Sequence, residues 1–234
     1  MTVRVSSKSG ADAASVSSRP SPLKSVRYPS SEVERRLTRD GYRLVAGLDE
    51  AGRGSWAGPL VAGAVVLAEG LTRKPVWCRG VCDSKMIGPQ ERERLAIAIR
   101  ASAVAVGVGI VSPEVIDLIG LTAAGHLAFH RALRGLQIAP DYVLVDAFHI
   151  PGLSVPQHAI IRGDQLCVSI SAASIIAKTY RDRLMRTLDS DYPAYGLADH
   201  KGYGTDQHRK GLVQAGASQI HRHSWRPVVP HVSL

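Results

Sequence analysis

Two adjacent carboxylates, Asp49 and Glu50, follow the short apolar run Leu44–Leu48 and lead straight into Ala51-Gly52-Arg53-Gly54. On a strand, neighbouring side chains point to opposite faces, so the two acids cannot simply share one solvated surface. Acids at the end of a buried strand need a positive partner, and a divalent metal is the commonest one. The glycines flanking Arg53 let backbone N–H groups come close to a ligand.

Further acids stand at the ends of other apolar runs. Asp146 closes Tyr142–Val145, and Asp164 follows His158–Ile161 through Arg162-Gly163. Four carboxylates converging on one sheet edge repel one another strongly unless cations intervene. An all-oxygen donor set favours Mg2+ or Mn2+ over zinc. Two such ions about 3.5–4 Å apart serve phosphodiester hydrolysis, one lowering the pKa of an attacking water and the other stabilising the leaving oxygen. Asp117 and Asp141 read instead as surface or capping residues.

The elements that must position these acids alternate along the chain. Ser31 with Glu34 has the pattern of a capping box, opening a helix to about Arg39 that Gly41 stops. Strands are expected at Leu44–Leu48, Gly58–Ala68, Ser102–Val111, Tyr142–Val145 and His158–Ile161. The second is almost wholly apolar and therefore central. Helices are expected at Pro89–Ala101, with Pro near its start and acids in its first turn, and at Pro113–Ile119, Thr122–Leu136, Ser169–Leu188 and Thr205–Ala215. The class is α/β with a mixed sheet, whose chemistry belongs beyond the carboxyl ends of its strands.

The bulk numbers agree with a nucleic-acid partner. The chain has 234 residues, a net charge of +9, 45% hydrophobic content, a pI of about 9.8 and a mean hydropathy near zero. A basic balance favours a polyanion. Residues 1–40 hold eight Lys/Arg against four Asp/Glu, a net +4, which leaves a modest +5 for the body. Residues 1–30, rich in Ser and basic residues and broken by Pro20, Pro22 and Pro29, read as a disordered tail ahead of one catalytic domain over 31–234. A helical extension is expected from about 190, ending in a basic, Pro-punctuated tail from His221. No apolar run reaches membrane-spanning length and no secretory h-region is present, so a cytoplasmic monomer is expected.

Several competing motifs fail on context. Cys78, Cys82 and Cys167 lack the second pair that a zinc site requires and read as free thiols. Gly52-x-Gly54-x-x-x-Gly58 spaces its third glycine one residue late for a dinucleotide fingerprint, and a β-rich run follows it rather than a helix. His126 and His130, four apart on an apolar helix, read as packed or surface histidines. Arg162-Gly163-Asp164, an adhesion tripeptide in other settings, reads as coincidence. His221-Arg222-His223 admits both a phosphate contact and a plain polar end.

Gly47-Leu48-Asp49-Glu50-Ala51-Gly52-Arg53-Gly54 resembles the signature of type 2 ribonucleases H, the bacterial ribonuclease HII family. Asp83-Ser84-Lys85, Tyr142–Asp146, Gly163-Asp164, Ser171–Lys178 with Arg181-Asp182, and His200–Thr205 extend the likeness in order across roughly residues 31–227. The resemblance implies a ribonuclease H-like fold, a five-stranded mixed sheet flanked by helices with a helical C-terminal region. It implies cleavage of RNA in RNA–DNA hybrids and incision 5′ to ribonucleotides embedded in duplex DNA, as part of ribonucleotide removal, giving 5′-phosphate and 3′-hydroxyl ends. Asp49, Glu50, Asp146 and Asp164 would hold two Mn2+ or Mg2+ ions, with Asp49 bridging. The Gly52-Arg53-Gly54 backbone would read the ribose 2′-OH, Tyr203 would pack on the neighbouring deoxy sugar, and Ser84, Lys85 and Lys178 would position the nucleic-acid backbone. The chain departs from the family pattern at Ala147, where Gly is usual after the third acid. It departs again at Ser55-Trp56, where Pro usually follows the arginine loop, and at Arg162, which replaces Lys with the charge kept.

Two rivals have distinct signatures. A nuclease of this fold acting on DNA alone would cut equally well without the ribose. A basic binding module would survive Asp49→Asn with every activity intact.

Overall fold

The computed structural model describes residues 29–67 and 87–232. Five strands form one mixed sheet: β1 (Val45–Ala51), β2 (Leu60–Val66), β3 (Ala105–Val111), β4 (Tyr142–Asp146) and β5 (Gln157–Ile160). Their order is β3-β2-β1-β4-β5. β1 pairs antiparallel with β2 and β2 with β3, whereas β1–β4 and β4–β5 are parallel. The expected α/β architecture is thus present. Every residue of β2 is buried, as its unbroken apolar run requires of an internal strand covered on both faces.

Helices α1 (Glu32–Arg39), α2 (Pro89–Ser102), α3 (Pro113–Ile119), α4 (Leu121–Gly135), α5 (Gly163–Leu166), α6 (Val168–Asp191), α7 (Leu197–His200) and α8 (Asp206–Ala215) complete the framework, with 3-10 turns at Pro193–Tyr195 and Val229–His231. α4 packs one face of the sheet, where Phe129, Ala128 and Ala132 meet Ala46, Leu48, Ala62 and Ala64. On the other face α6 and α2 bury Ala172, Ala173, Ile176, Leu95 and Ile99 against Val65. The approach is close because small residues face each other. A Cβ on Gly47 would overlap the Ser169–Ile170 backbone, and one on Gly63 the Ala173 carbonyl. This contact draws the first turns of α6 up to the acid end of β1.

Element ends differ from expectation by a few residues, and three differences bear on function. Asp49 and Glu50 lie inside β1, paired with Gly63 and Ala62, rather than beyond its end. Asp164 sits on the one-turn α5, not directly after a strand. The capping box at Ser31 does not form. No side-chain cap bond is made there, and the Glu34 carboxylate instead accepts bonds from the backbone N–H and Oγ of Ser169, at 2.9 and 2.7 Å. Glu34 thus caps the start of a different helix, α6, because α1 packs beside it. Burial pushes the Glu34 carboxyl up, against the pull of the Ser169 donors. Ser30, at the edge of the expected tail, already bridges to Cys167. Cys78 and Cys82 lie outside the described residues, and no helix among those described is long and apolar enough to cross a membrane.

Candidate active site

Parallel pairing of β1 with β4, and of β4 with β5, brings the carboxyl ends of three strands to one edge. Asp49 and Glu50 arrive on β1, Asp146 as the last residue of β4, and Asp164 on α5 after a reversal at Arg162, whose φ is +57°. All four acids line a single cleft of about 660 Å3, together with Ala51, Gly52, Arg53, Gly54, Arg92, Ser174, Lys178 and Tyr203. Residues scattered over more than 150 positions therefore line one cleft, the four acids among them.

The strand alternation sets what each acid meets. Asp49, on the α6 side, is 6% exposed and bonds with the Ser174 side chain of α6. Its Oδ1 also accepts the Glu50 N–H at 2.7 Å. Glu50, on the opposite side, faces the Arg53 guanidinium at 3.8 Å. That guanidinium also lies over the Phe148 ring, 4.6 Å from its centre, so the Arg53 side chain is held between Glu50 and Phe148. Asp146 Oδ1 accepts the Gly163 N–H at 2.7 Å, which ties the third acid to the helix bearing the fourth.

Burial raises the Asp49 carboxyl well above its ordinary range, and the neighbouring charges of Glu50 and Asp146 raise it further. A buried carboxylate beside two others favours any cation that can enter. Among the described residues no three such side chains are gathered tightly enough to coordinate one ion as they stand. The donor set nevertheless fits a hard divalent ion. It is all oxygen, strongly like-charged and open to the cleft.

Around the acids stands a cationic rim. Lys178 Nζ donates to Asp182 Oδ1 at 2.7 Å, and Arg92 pairs with the other oxygen of Asp182 at 3.0 Å. Burial draws the Lys178 ammonium down, and Asp182 opposes it. Tyr203 is 37% exposed between Gly202 and Gly204, with Lys178 and Arg181 at 5.7 and 5.5 Å from its ring centre. Trp56 lies against Gly204, where a Cβ would overlap its indole. Ser84 and Lys85 lie outside the described residues. Arg92 and Ser174 escaped the reading of the sequence. Arg92 lies within the expected helix Pro89–Ala101, and no local signal marks it.

His221-Arg222-His223 takes a role that neither sequence reading foresaw. His221 and Arg222 are buried, and Arg222 reaches under the Gly52–Gly58 loop. Ala147, at the position where the family pattern has Gly, adopts φ +60°, so its methyl group sits in the left-handed region that glycine favours. Asp141 accepts the Arg43 and Leu44 N–H groups and Asp117 those of His223 and Ser224, so both carboxylates tie distant backbone rather than join the cleft.

Sheet order, flanking helices and the acid-lined cleft place the molecule among proteins of ribonuclease H-like fold. A ribonuclease H2 from Pyrococcus horikoshii, 31% identical, superposes with a TM-score of 0.69 over 80% of this chain and 95% of that one. An RNase HII from Archaeoglobus fulgidus, solved in complex with PCNA, is 28% identical with a TM-score of 0.66 over 78% and 95%. The ribonuclease HII of Chloroflexus aurantiacus is 50% identical over 201 residues, 86% of this chain and 95% of that relative. A family model described as ribonuclease HII matches residues 46–228, and the chain belongs to the ribonuclease HII family. It is an enzyme of the ribonuclease H type, as the resemblance implied.

Proposed function

We propose that the protein is an endoribonuclease that hydrolyses the RNA strand of RNA–DNA hybrids and incises 5′ to ribonucleotides embedded in duplex DNA. The observation that carries this reading is the meeting of Asp49, Glu50, Asp146 and Asp164 with the Gly52–Gly54 loop and Tyr203 along one cleft. The four carboxylates, of which Asp49 is the most enclosed, would hold two Mn2+ or Mg2+ ions. Such ions, when bound, supply an activated water and stabilise charge on the leaving oxygen.

The remaining work falls to the chain's own groups. The N–H groups of the Gly52-Arg53-Gly54 backbone bond the 2′-OH that separates ribose from deoxyribose. Tyr203, exposed and held between two glycines, gives a flat surface to the adjacent deoxy sugar. Lys178, and Lys85 and Ser84 from outside the described residues, orient the nucleic-acid backbone. Hydrolysis leaves 5′-phosphate and 3′-hydroxyl ends.

The test is a duplex carrying one ribonucleotide, incubated with Mn2+ or Mg2+. A single incision 5′ to the ribose is expected, with none when that ribose is replaced by deoxyribose. Equal cutting of both duplexes would favour a DNA nuclease. No cutting under either ion, beside an active control enzyme, would overturn the reading.

A further inference from the structure

Resting on the reading of the Gly52–Gly54 loop just given, we propose that Arg222, seconded by Arg181, is a positioning residue that sets ribose selectivity from beneath that loop. Both side chains are fully buried. Among the described residues neither forms an ion pair. Arg222 spends its guanidinium on main-chain carbonyls, donating to Gly52 O at 2.6 Å, Arg53 O at 2.8 Å and Gly58 O at 3.2 Å. Arg181 donates to Ser55 Oγ at 2.7 Å, Ala57 O at 3.1 Å, Pro59 O at 3.0 Å and Lys201 O at 2.9 Å. Ser55 Oγ in turn donates to Gly52 O at 2.8 Å.

The geometry of the peptide unit converts these bonds into selectivity. In a trans peptide the C=O and the following N–H point in opposite directions. Drawing Gly52 O and Arg53 O inward onto Arg222 therefore turns the N–H groups of Arg53 and Gly54 outward, toward the cleft those residues line. Two buried cations behind the carbonyls also polarise the same peptides and strengthen their outward donors. A Cβ on Gly52 would overlap the Arg181 guanidinium, so the loop rests directly on this support. Two like charges buried side by side are expensive to maintain, and burial together with Arg181 pulls Arg222 down to about 9. The same support reaches the second sugar contact, since Arg181 holds the Lys201 carbonyl two residues before Tyr203, and Trp56 N–H bonds Gly202 O at 2.8 Å.

The test separates aiming from folding. Dissociation constants are measured in EDTA, so that nothing is cut, for an all-DNA duplex and for the same duplex with one ribonucleotide. The full-length wild type, Arg222→Lys and Ser55→Ala are compared, each checked for folding by its melting transition. The wild type is expected to favour the ribonucleotide duplex by about tenfold, the worth of one or two hydrogen bonds. Both variants should lose most of that ratio while their all-DNA affinity stays within about twofold of wild type. If Arg222→Lys fails to fold, Ser55→Ala, which removes only one hydroxyl of the same network, decides the matter. A folded variant that keeps the wild-type ratio would overturn the proposal, as would a wild type that incises at the ribonucleotide yet shows no binding preference. A wild type that cannot incise that duplex with Mn2+ would sink the proposed function itself, and this inference with it.

Discussion

At the scale of single residues, the site is a balance between repulsion and restraint. Asp49 is raised by burial first, then by Glu50 and Asp146, so the folded chain holds a proton there more tightly than the unfolded chain does. For a group raised in this way, stability is fully present below the unfolded pKa and is lost as pH rises. At neutral pH and without divalent ions, Asp49→Asn should therefore raise the melting temperature by about 2–4 °C, the shift that roughly 1 kcal/mol produces in a chain of this size. The same variant should lose cleavage and the thermal stabilisation that Mn2+ gives the wild type. A lower melting temperature in EDTA would contradict the electrostatic account.

Ala147 offers a second probe at this scale. Its left-handed backbone costs about 1–2 kcal/mol relative to a residue without a Cβ. Ala147→Gly should raise the urea midpoint by the equivalent of about 1 kcal/mol, the entropy of a new glycine in the unfolded chain taking back part of the gain. An unchanged midpoint would mean that the turn after Asp146 carries no strain.

At the scale of elements, the decisive contact is α6 against β1 and β2. Gly63 and Gly47 are required by approach rather than by turn geometry, since a Cβ on either overlaps α6 backbone, which cannot swing aside as a side chain can. Gly63→Ala should cost about 1–3 kcal/mol or more. It should also reduce cleavage beyond the loss of folded protein, because displacing α6 moves Ser174 and Lys178 relative to Asp49. Gly88→Ala, with nothing within 4 Å of the new carbon, serves as the control and should change neither measurement by much. Equal stability of the two variants would show that the helix yields. Most elements were legible at this scale from apolar periodicity and from Pro89 and Pro113 at helix starts. The exceptions have a common cause. Glu34 looked like its own helix's cap and became that of α6, and Asp164 looked like a strand end and became part of a helical turn. Local pattern cannot say which distant backbone will come within reach.

At the scale of the molecule, a cluster of buried histidines joins the C-terminal segment to the cleft. His208 stacks on His200 with ring centres 4.7 Å apart, shares a 3.1 Å contact with His221, and its Nδ1 meets Tyr203 O at 3.0 Å. Burial first, and neighbouring histidines besides, push His208 and His221 down to about 4. His200 faces His208, while His223 and His231 lie near His221. An unfolded histidine titrates near 6.5. The unfolded chain thus binds more protons between these values, and stability that is complete above about pH 6.5 drains as the pH falls toward 4. Melting temperatures from pH 7.5 to 4.5 should fall through that window, and His208→Gln should flatten the decline. A profile identical to wild type would remove the cluster from the acid response.

By itself the sequence determined which residue types could do chemistry and their order along the chain. Acids at the ends of apolar runs, a glycine-flanked arginine beside the first pair and a tyrosine between glycines are local features, and local features are written in spacing. Only the tertiary structure decided the supports: Arg92 and Lys178 shared by Asp182, Ser174 on Asp49, and Arg222 under the Gly52–Gly58 loop from 170 residues away. A buried arginine that bonds carbonyls leaves no periodic trace. Its partners are main-chain atoms that every residue possesses, and nothing in their identity reveals which of them it will hold.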